Sequence, residues 1–247
     1  TEAGLRPDFP RPAVLGGAAG AAEFHLDAGL RDQLAALARD LGVTEFMLLQ
    51  SAVAVALHKA GAGADVPIGT PVAGRTVAEL DDLIGFFINI LTLRNDLRGD
   101  PTLREVLLRG RDTALGAYAN QDLPFDQVVD AVGPVRSLSR NPLFQVMFVL
   151  QNAPLDELRL PGLASSHVLV HQQSSKFDLT LAVEEKPDGS LSGVFEYATD
   201  KSVVTSLRPA DGSPIRLVDC DGEEAATGDL FARFETDFQV SDNDADG

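Results

Sequence analysis

The chain has 247 residues, of which 45% are hydrophobic and 23% are charged. This composition is typical of a globular protein and excludes wholesale disorder. The net charge of −17 argues against a duplex nucleic-acid binder, which needs a basic face to neutralise phosphates. It also argues against binding to anionic membrane surfaces. We therefore expect neither nucleic acid nor a membrane as a partner.

Cysteine usage and hydrophobic patterning indicate the compartment. Cys220 is the only cysteine in the sequence, which excludes an intramolecular disulfide and a zinc–cysteine cluster. The first residues lack a positive segment followed by an apolar one, and no run of about 18 apolar residues occurs. The sequence therefore predicts no signal peptide and no membrane-spanning helix, and we expect a cytoplasmic location.

The first third of the chain predicts two helices after an irregular start. Residues 1–20 are rich in proline, glycine and alanine, which indicates an extended lead-in linker. Asp27 is placed to cap a helix whose leucines recur at helical spacing up to Leu41. Thr44 is placed to cap a second helix that runs to Gly61, and because it is apolar on most faces we expect it to be buried.

The middle and end of the chain alternate between strand and helix signals. Strands are predicted at Val66–Val72 and Ile84–Leu97, both rich in β-branched or aromatic residues. Asp100 and Pro101 are placed to start a third helix, and Pro124 a fourth. A continuous apolar run predicts a buried strand at Leu143–Leu150.

The last predicted element is a hairpin, in which DLTLAVEE and LSGVFEY flank the turn KPDGS. The order of elements, with helices and strands mixed, predicts an α/β fold of the layered α+β type. We expect a mixed β-sheet flanked by helices. Residues 201–247 carry eleven acids against four bases and are predicted to be a separate acidic tail.

The common catalytic motifs are missing from the sequence. No Gly-x-Ser-x-Gly elbow and no phosphate-binding Gly-x-x-x-x-Gly-Lys loop occurs. His167 and His171 have a spacing that suits metal ligands on a helix, but they flank a strand-like segment. In an extended chain that spacing spans roughly 13 Å, too far for one metal ion. We expect no metal site, and these arguments alone leave the function open.

Several runs, in order, resemble the condensation domains of non-ribosomal peptide synthetases. Three of them resemble successive core motifs of that family: IGFFINILTLR (84–94), NQDLPFDQVV (120–129) and RNPLFQVMFVLQN (140–152). Four shorter runs add to the resemblance: LRPDFPRPA (5–13), PIGTPVAGRT (67–76), FDLTL (177–181) and FEYATD (195–200). The specificity lies in the ordered set, because no single run is decisive.

The resemblance implies a chloramphenicol-acetyltransferase-like architecture with two lobes and a tunnel between them. Residues 21–200 resemble the second, C-terminal lobe. The family's catalytic motif, His-His-x-x-x-Asp-Gly, belongs to the first lobe and does not occur in this sequence. We therefore expect no catalytic residue in this chain and inactivity without the missing N-terminal lobe.

The implied activity is amide bond formation between aminoacyl or peptidyl thioesters tethered to carrier domains. The implied partners are peptidyl and aminoacyl carrier domains and neighbouring synthetase domains. No cofactor is expected to bind this chain directly, since 4'-phosphopantetheine is presented by the carrier proteins. An alternative is a non-catalytic condensation-like module that recruits carrier proteins or tailoring enzymes.

The resemblance also nominates residues that line the tunnel or contact substrate: Gly85, Asn89, Asn120, Gln121, Asp122, Arg140, Gln145 and Gln151. A mid-strand asparagine such as Asn89 needs hydrogen-bond partners if it is buried. Asn120 stands where the family usually has histidine, and an asparagine cannot act as a base. For Asp122 helix capping and for Arg140 a structural ion pair are the competing interpretations.

Overall fold

The computed structural model describes residues 11–14, 17–75, 78–80, 83–151 and 175–199. Cys220, the histidine pair at 167 and 171 and the predicted acidic tail lie outside these residues. Within them, the chain forms one mixed sheet with helices packed against it. The predicted fold class is confirmed.

The sheet contains six strands in the order β1-β6-β5-β4-β2-β3. The central strand β4 runs parallel to both of its neighbours, β2 and β5, and all other neighbours are antiparallel. The hairpin between β5 and β6 forms at the predicted place, with Gly189 in the left-handed region at the turn. The bounds of the strands are β1 Ala19–Leu26, β2 Asp65–Val72, β3 Asn89–Asp96, β4 Val146–Gln151, β5 Leu179–Glu185 and β6 Leu191–Ala198.

Two helices begin at the caps that the sequence predicts. The Asp27 side chain accepts a hydrogen bond from the Leu30 amide at the start of α1 (Ala28–Leu41), and the Thr44 hydroxyl accepts one at the start of α2 (Glu45–Leu57). A π-helical turn at His58–Ala62 extends α2. Among the described helices none alone is long and apolar enough to cross a membrane; α1 together with Glu45–Ala62 passes that test by length and composition, with a bend of 101°.

The core lies between the sheet and the first three helices. α2 is buried along most of its length, as its apolar sequence predicts, and α3 (Leu103–Tyr118) packs beside it. The two helices approach closely at Gly110, where an added Cβ would lie 2.3 Å from the Ser51 hydroxyl. A last helix, α4 (Phe125–Val132), follows the loop after α3. Gly110 thus sets the spacing of the helix layer.

The first strand is an element that the sequence analysis missed. β1 pairs with β6 over eight residues, from Ala19 opposite Ala198 to Leu26 opposite Leu191. Its first half is alanine and glycine, which have low strand propensity. Apolar alternation is confined to Phe24 and Leu26, too short a pattern to predict a strand.

The predicted strand Ile84–Leu97 begins five residues later than expected. β2 ends at Val72, which pairs with Asn89, so residues before Asn89 have no strand residue of β2 beside them. The segment 83–88 is therefore a loop, despite its aromatic and β-branched composition.

The start of α3 also differs from the prediction. Asp100 adopts a left-handed conformation, with φ of 51°, and lies outside the helix. The cap is Thr102, whose hydroxyl accepts from the Glu105 amide while the Glu105 carboxylate accepts from the Thr102 amide at 2.8 Å. This reciprocal capping box satisfies two N–H groups at once, which a single aspartate would not.

A buried ion pair ties the start of the described chain to the sheet. The Arg11 guanidinium donates to both carboxylate oxygens of Asp178 and, at 3.0 Å, to the Ser139 carbonyl. The two side chains are 13% and 6% exposed. Nearby, the Ser175 amide donates to the Gly17 carbonyl. Part of the predicted lead-in is therefore bound to the rest of the fold.

We predict that Arg11→Met lowers the free energy of unfolding by about 3–5 kcal/mol, because it leaves a buried carboxylate without its bidentate partner. Urea denaturation of the 247-residue chain measures the change. The matched control is Arg136→Met, which removes an ion pair to Asp130 whose side chains are 80% and 71% exposed and should cost less than about 1 kcal/mol. Equal effects of the two variants would contradict a stabilising role for the buried pair.

Candidate functional site

Four of the runs that carry the family resemblance meet at a cluster of phenylalanines. We call Phe125, Phe144 and Phe177 the phenylalanine cluster. The Phe144 ring lies edge-on to Phe125 at 5.8 Å and stacks on Phe177 at 5.3 Å, measured between ring centroids. The same ring covers Gly69, where an added Cβ would lie 2.2 Å from Cε2 of Phe144. Phe144 thus contacts one residue from each of the three other runs.

Asn89 joins a fifth run to this cluster. Its Nδ2 donates to the carbonyls of Gln121 at 2.7 Å and Leu123 at 2.8 Å, and its Oδ1 accepts from the Phe125 amide at 3.1 Å. The N-cap residue of α4 is Pro124, whose side chain makes no capping hydrogen bond. Asn89 therefore supplies the cap of α4 from another element, and we call this arrangement the Asn89 clamp.

Three predicted site residues lie on the turn that the clamp holds. Asn120 is exposed, and its Nδ2 donates to the Gly116 carbonyl at 2.9 Å. Gln121 is half-buried, and its carbonyl accepts from Asn89. Asp122 is exposed and is not the cap of α4, so the capping interpretation of this residue is wrong.

The other predicted residues are more scattered. Gly85 lies in the exposed loop 83–88, where an added Cβ would be 2.8 Å from the Phe87 ring. Arg140 is exposed and forms an isolated antiparallel bridge with Ser137. The ion pair predicted for Arg140 remains a prediction.

The two glutamines lie at either end of β4. Gln145 is buried, and its Nε2 donates to the Asn141 carbonyl at 2.8 Å, which closes the turn before the strand. Gln151 is the last residue of β4, roughly 20 Å further along at the rise of an extended strand. It lines a surface groove of about 770 Å³ together with Glu23 and His25. The structure thus brings Asn89 and the turn at 120–122 together and leaves Gln151 apart.

The residues that hold the site were missed at the sequence level. Each phenylalanine of the cluster lies inside a motif run, and so does Gly69. An aromatic residue or a glycine within each run was therefore a signal in the sequence that could have indicated these residues. Arg11 and Asp178 also stand in motif runs and pair across 167 positions. Such pairings depend on the topology of the sheet, which the sequence pattern does not specify.

A network around Arg75 fixes the loop that precedes β3. Arg75 donates to the carbonyls of Leu80 and Leu83, and its guanidinium lies 4.6 Å from the centroid of the Phe87 ring. Gly74 has φ of 64°, and an added Cβ would lie 1.9 Å from the Phe87 carbonyl oxygen. The loop therefore has a defined shape that keeps Phe87 half-buried.

The same loop presents an apolar surface, which we call the apolar ridge. Ile84 is fully exposed and Phe86 is 85% exposed, while Leu83 and Ile88 are each 50% exposed. Four large apolar side chains within six residues form an apolar patch beside Asn89. Such patches usually mark interaction surfaces.

A cleft of about 370 Å³ lies at the carboxyl ends of the parallel strands β2 and β4. Val72, which pairs with Asn89, lines it, so the cleft adjoins the Asn89 clamp. The Tyr118 side chain also lines it, and burial raises the pKa of the Tyr118 hydroxyl. In the part of the chain that the structure describes, no group of three or more His, Cys, Asp or Glu residues is arranged to hold a metal ion.

Comparisons with known proteins place these features in a family. A family model for the condensation domain matches residues 2–202. A probable non-canonical nonribosomal peptide synthetase from Salinispora arenicola is 47% identical over 197 residues, which are 79% of this chain and 2% of that protein. A dimodular nonribosomal peptide synthase from Bacillus subtilis is 45% identical over 202 residues, or 79% of this chain and 8% of that protein.

The fold is also similar to that of a solved structure. The crystal structure of the X-domain from teicoplanin biosynthesis is 31% identical and superposes with a TM-score of 0.74 over 81% of this chain and 46% of that one. A complex of the X-domain with OxyB superposes with a TM-score of 0.72. The chain belongs to the condensation-domain family of nonribosomal peptide synthetases, and the resemblance is confirmed. It spans a small part of its curated relatives and about half of the solved X-domain.

We predict that Gly69→Ala destabilises the chain by about 1–3 kcal/mol, because the new methyl group must displace the buried Phe144 ring. Thermal or urea denaturation measures the difference. Gly116→Ala is the control: nothing lies within 4 Å of a Cβ at this position of α3, and alanine favours a helix by up to about 1 kcal/mol over glycine. If both variants change the stability equally, the conclusion that Gly69 fixes the Phe144 ring is wrong.

Proposed function

We propose that this chain is the second lobe of a condensation domain and forms one wall of the tunnel in which an amide bond is made. The observation that carries the proposal is the apolar ridge, whose four large apolar side chains stand exposed at the start of the motif run 84–94. The coverage of about half of the solved X-domain agrees with it. In this proposal a first lobe covers the ridge.

The reaction joins two carrier-bound reactants. The amine of an acceptor aminoacyl group attacks the carbonyl carbon of a donor thioester; a C–N bond forms, the C–S bond breaks, and the amine proton ends on the departing thiol. Both reactants arrive on 4'-phosphopantetheine arms of carrier domains. Holding them together supplies much of the rate gain in reactions of this kind.

In this proposal the chain contributes the shape of the tunnel wall and the positions of the residues that line it. We assign the cleft at the carboxyl ends of β2 and β4 to the tunnel wall, since ligands of open α/β sheets bind at that edge. The turn with Asn120 and Asp122 adjoins it through Asn89 and Val72. The sequence contains no adjacent histidine pair, so the catalytic histidine of the family motif would come from the first lobe.

The alternative function is recruitment without catalysis. The similarity to an X-domain solved in complex with OxyB favours it, because that complex is a condensation-like fold bound to a partner protein. The two functions differ in what a first lobe adds: amide formation requires its histidine motif, whereas recruitment of a partner protein does not.

The test is reconstitution of the complete domain. We expect the chain joined to a first lobe, with donor and acceptor carriers loaded, to give an amide product by mass spectrometry. The chain alone and the joined domain with its motif histidine replaced by alanine should give none. Product from the chain alone would overturn the lobe assignment, and absence of product with tight binding of a tailoring enzyme would establish the recruitment alternative.

We further predict that the isolated chain self-associates through the apolar ridge despite its charge of −17. Ile84→Asp combined with Phe86→Asp should shift sedimentation towards the monomer, because the ridge is then hydrated. The control is Val135→Asp, which alters another apolar side chain that is 95% exposed but lies after α4. A monomer at all concentrations for the unaltered chain would contradict this prediction.

A further inference from the structure

Both N–H donors of the Asn89 side chain are used at the turn before α4. An asparagine amide has two N–H donors, and both are used, one to the Gln121 carbonyl and one to the Leu123 carbonyl. The oxygen accepts from the Phe125 amide. To donate a hydrogen bond to a thioester or pantetheine group, Asn89 would have to release one of these carbonyls.

We propose that Asn89 is a positioning residue, which sets the conformation of the turn at residues 120–123 and does not itself bind substrate. This inference rests on the proposed function, because the turn is assigned to the tunnel wall there. It differs from the expectation that Asn89 itself contacts substrate. The site residues that the turn leaves exposed are Asn120 and Asp122.

Asn120 is bonded to the end of α3 through its backbone amide at 3.1 Å and its side chain at 2.9 Å, whereas the Gln121 and Leu123 carbonyls have Asn89 as their partner. The Gln121 amide donates to the Tyr118 carbonyl at 3.3 Å, and the Leu123 amide donates to the Asn120 carbonyl at 3.2 Å. Pro124 has no N–H and no side-chain acceptor, so the first free amide of α4 is that of Phe125. Asn89 satisfies that amide and two turn carbonyls together.

The clamp has a rigid base. Asn89 is the first residue of β3, which pairs with β2 over eight residue pairs. Its other contact, Phe125, packs against Phe144 in the phenylalanine cluster. The turn is thus anchored to the sheet at both ends of the clamp, so a change at Asn89 should move residues 120–123 with little effect on the core.

The test compares two asparagines on the same strand. Asn89→Asp keeps the acceptor for Phe125 but places an oxygen against two carbonyls. Asn95→Asp is the matched control, since Asn95 is buried and its Nδ2 likewise donates to two carbonyls, those of Val66 and Leu93. Amide hydrogen exchange at residues 121–123 should become at least tenfold faster in Asn89→Asp relative to the amides of β2. Asn95→Asp buries a carboxylate and destabilises the whole chain, so any increase there should be no larger at residues 121–123 than in β2.

Activity of the joined two-lobe domain supplies the second readout. We expect Asn89→Asp to lower kcat for amide formation at least tenfold. In a domain that already carries Asn120→Ala and Asp122→Ala, adding Asn89→Asp should lower kcat less than twofold. The side chains that the turn positions are already absent from that domain. A further tenfold fall in that background would show that Asn89 contacts substrate directly and would overturn the proposal.

Three further outcomes distinguish the clamp, its role in the reaction and the proposed function. Unchanged hydrogen exchange in Asn89→Asp would overturn the clamp itself. Faster exchange with unchanged kcat would confirm the clamp and overturn its role in the reaction. If the unaltered two-lobe domain makes no amide, the proposed function fails, while the exchange measurement still tests the clamp.

Discussion

The packing of the Phe144 ring on the bare backbone of Gly69 is the contact on which the rest of the site depends. It draws the loop before β4 over β2, and the same ring holds Phe125 and Phe177 in place. Aromatic side chains bury large areas and fix geometry through their ring contacts. Since Phe125 is the first residue of α4, the ring of Phe144 holds the start of that helix, and Asn89 holds the turn before it.

Local features of the fold were predictable, because they depend on neighbouring residues. Asp27 and Thr44 bond amides three positions away, and the Pro-Asp-Gly turn joins strands that are adjacent in sequence. β1 was not predictable, since alanine and glycine in its first half carry little strand signal. The strand signal before Asn89 was misleading, because aromatic and β-branched residues also occur at exposed interaction surfaces.

The candidate site was predictable in its members but not in its arrangement. The motif runs nominated Asn89 and the turn at 120–122, and the structure brings these together. Their contacts join residues 32 to 36 positions apart, and no periodicity in the sequence specifies such pairs. The capping interpretation of Asp122 was wrong because Asn89, the first residue of β3, caps α4 instead. Capping rules based on neighbouring residues do not include a cap from another element.

The pairing of β1 with β6 has a consequence for how the chain folds while the ribosome synthesises it. Ala19 lies opposite Ala198, and Arg11 binds Asp178, so these contacts at the start of the chain form only after their distant partners have left the ribosome. Pairings of such long sequence separation form slowly and leave strand edges open to wrong partners. A strand that pairs late is the element most exposed to exchange with the same strand of another molecule.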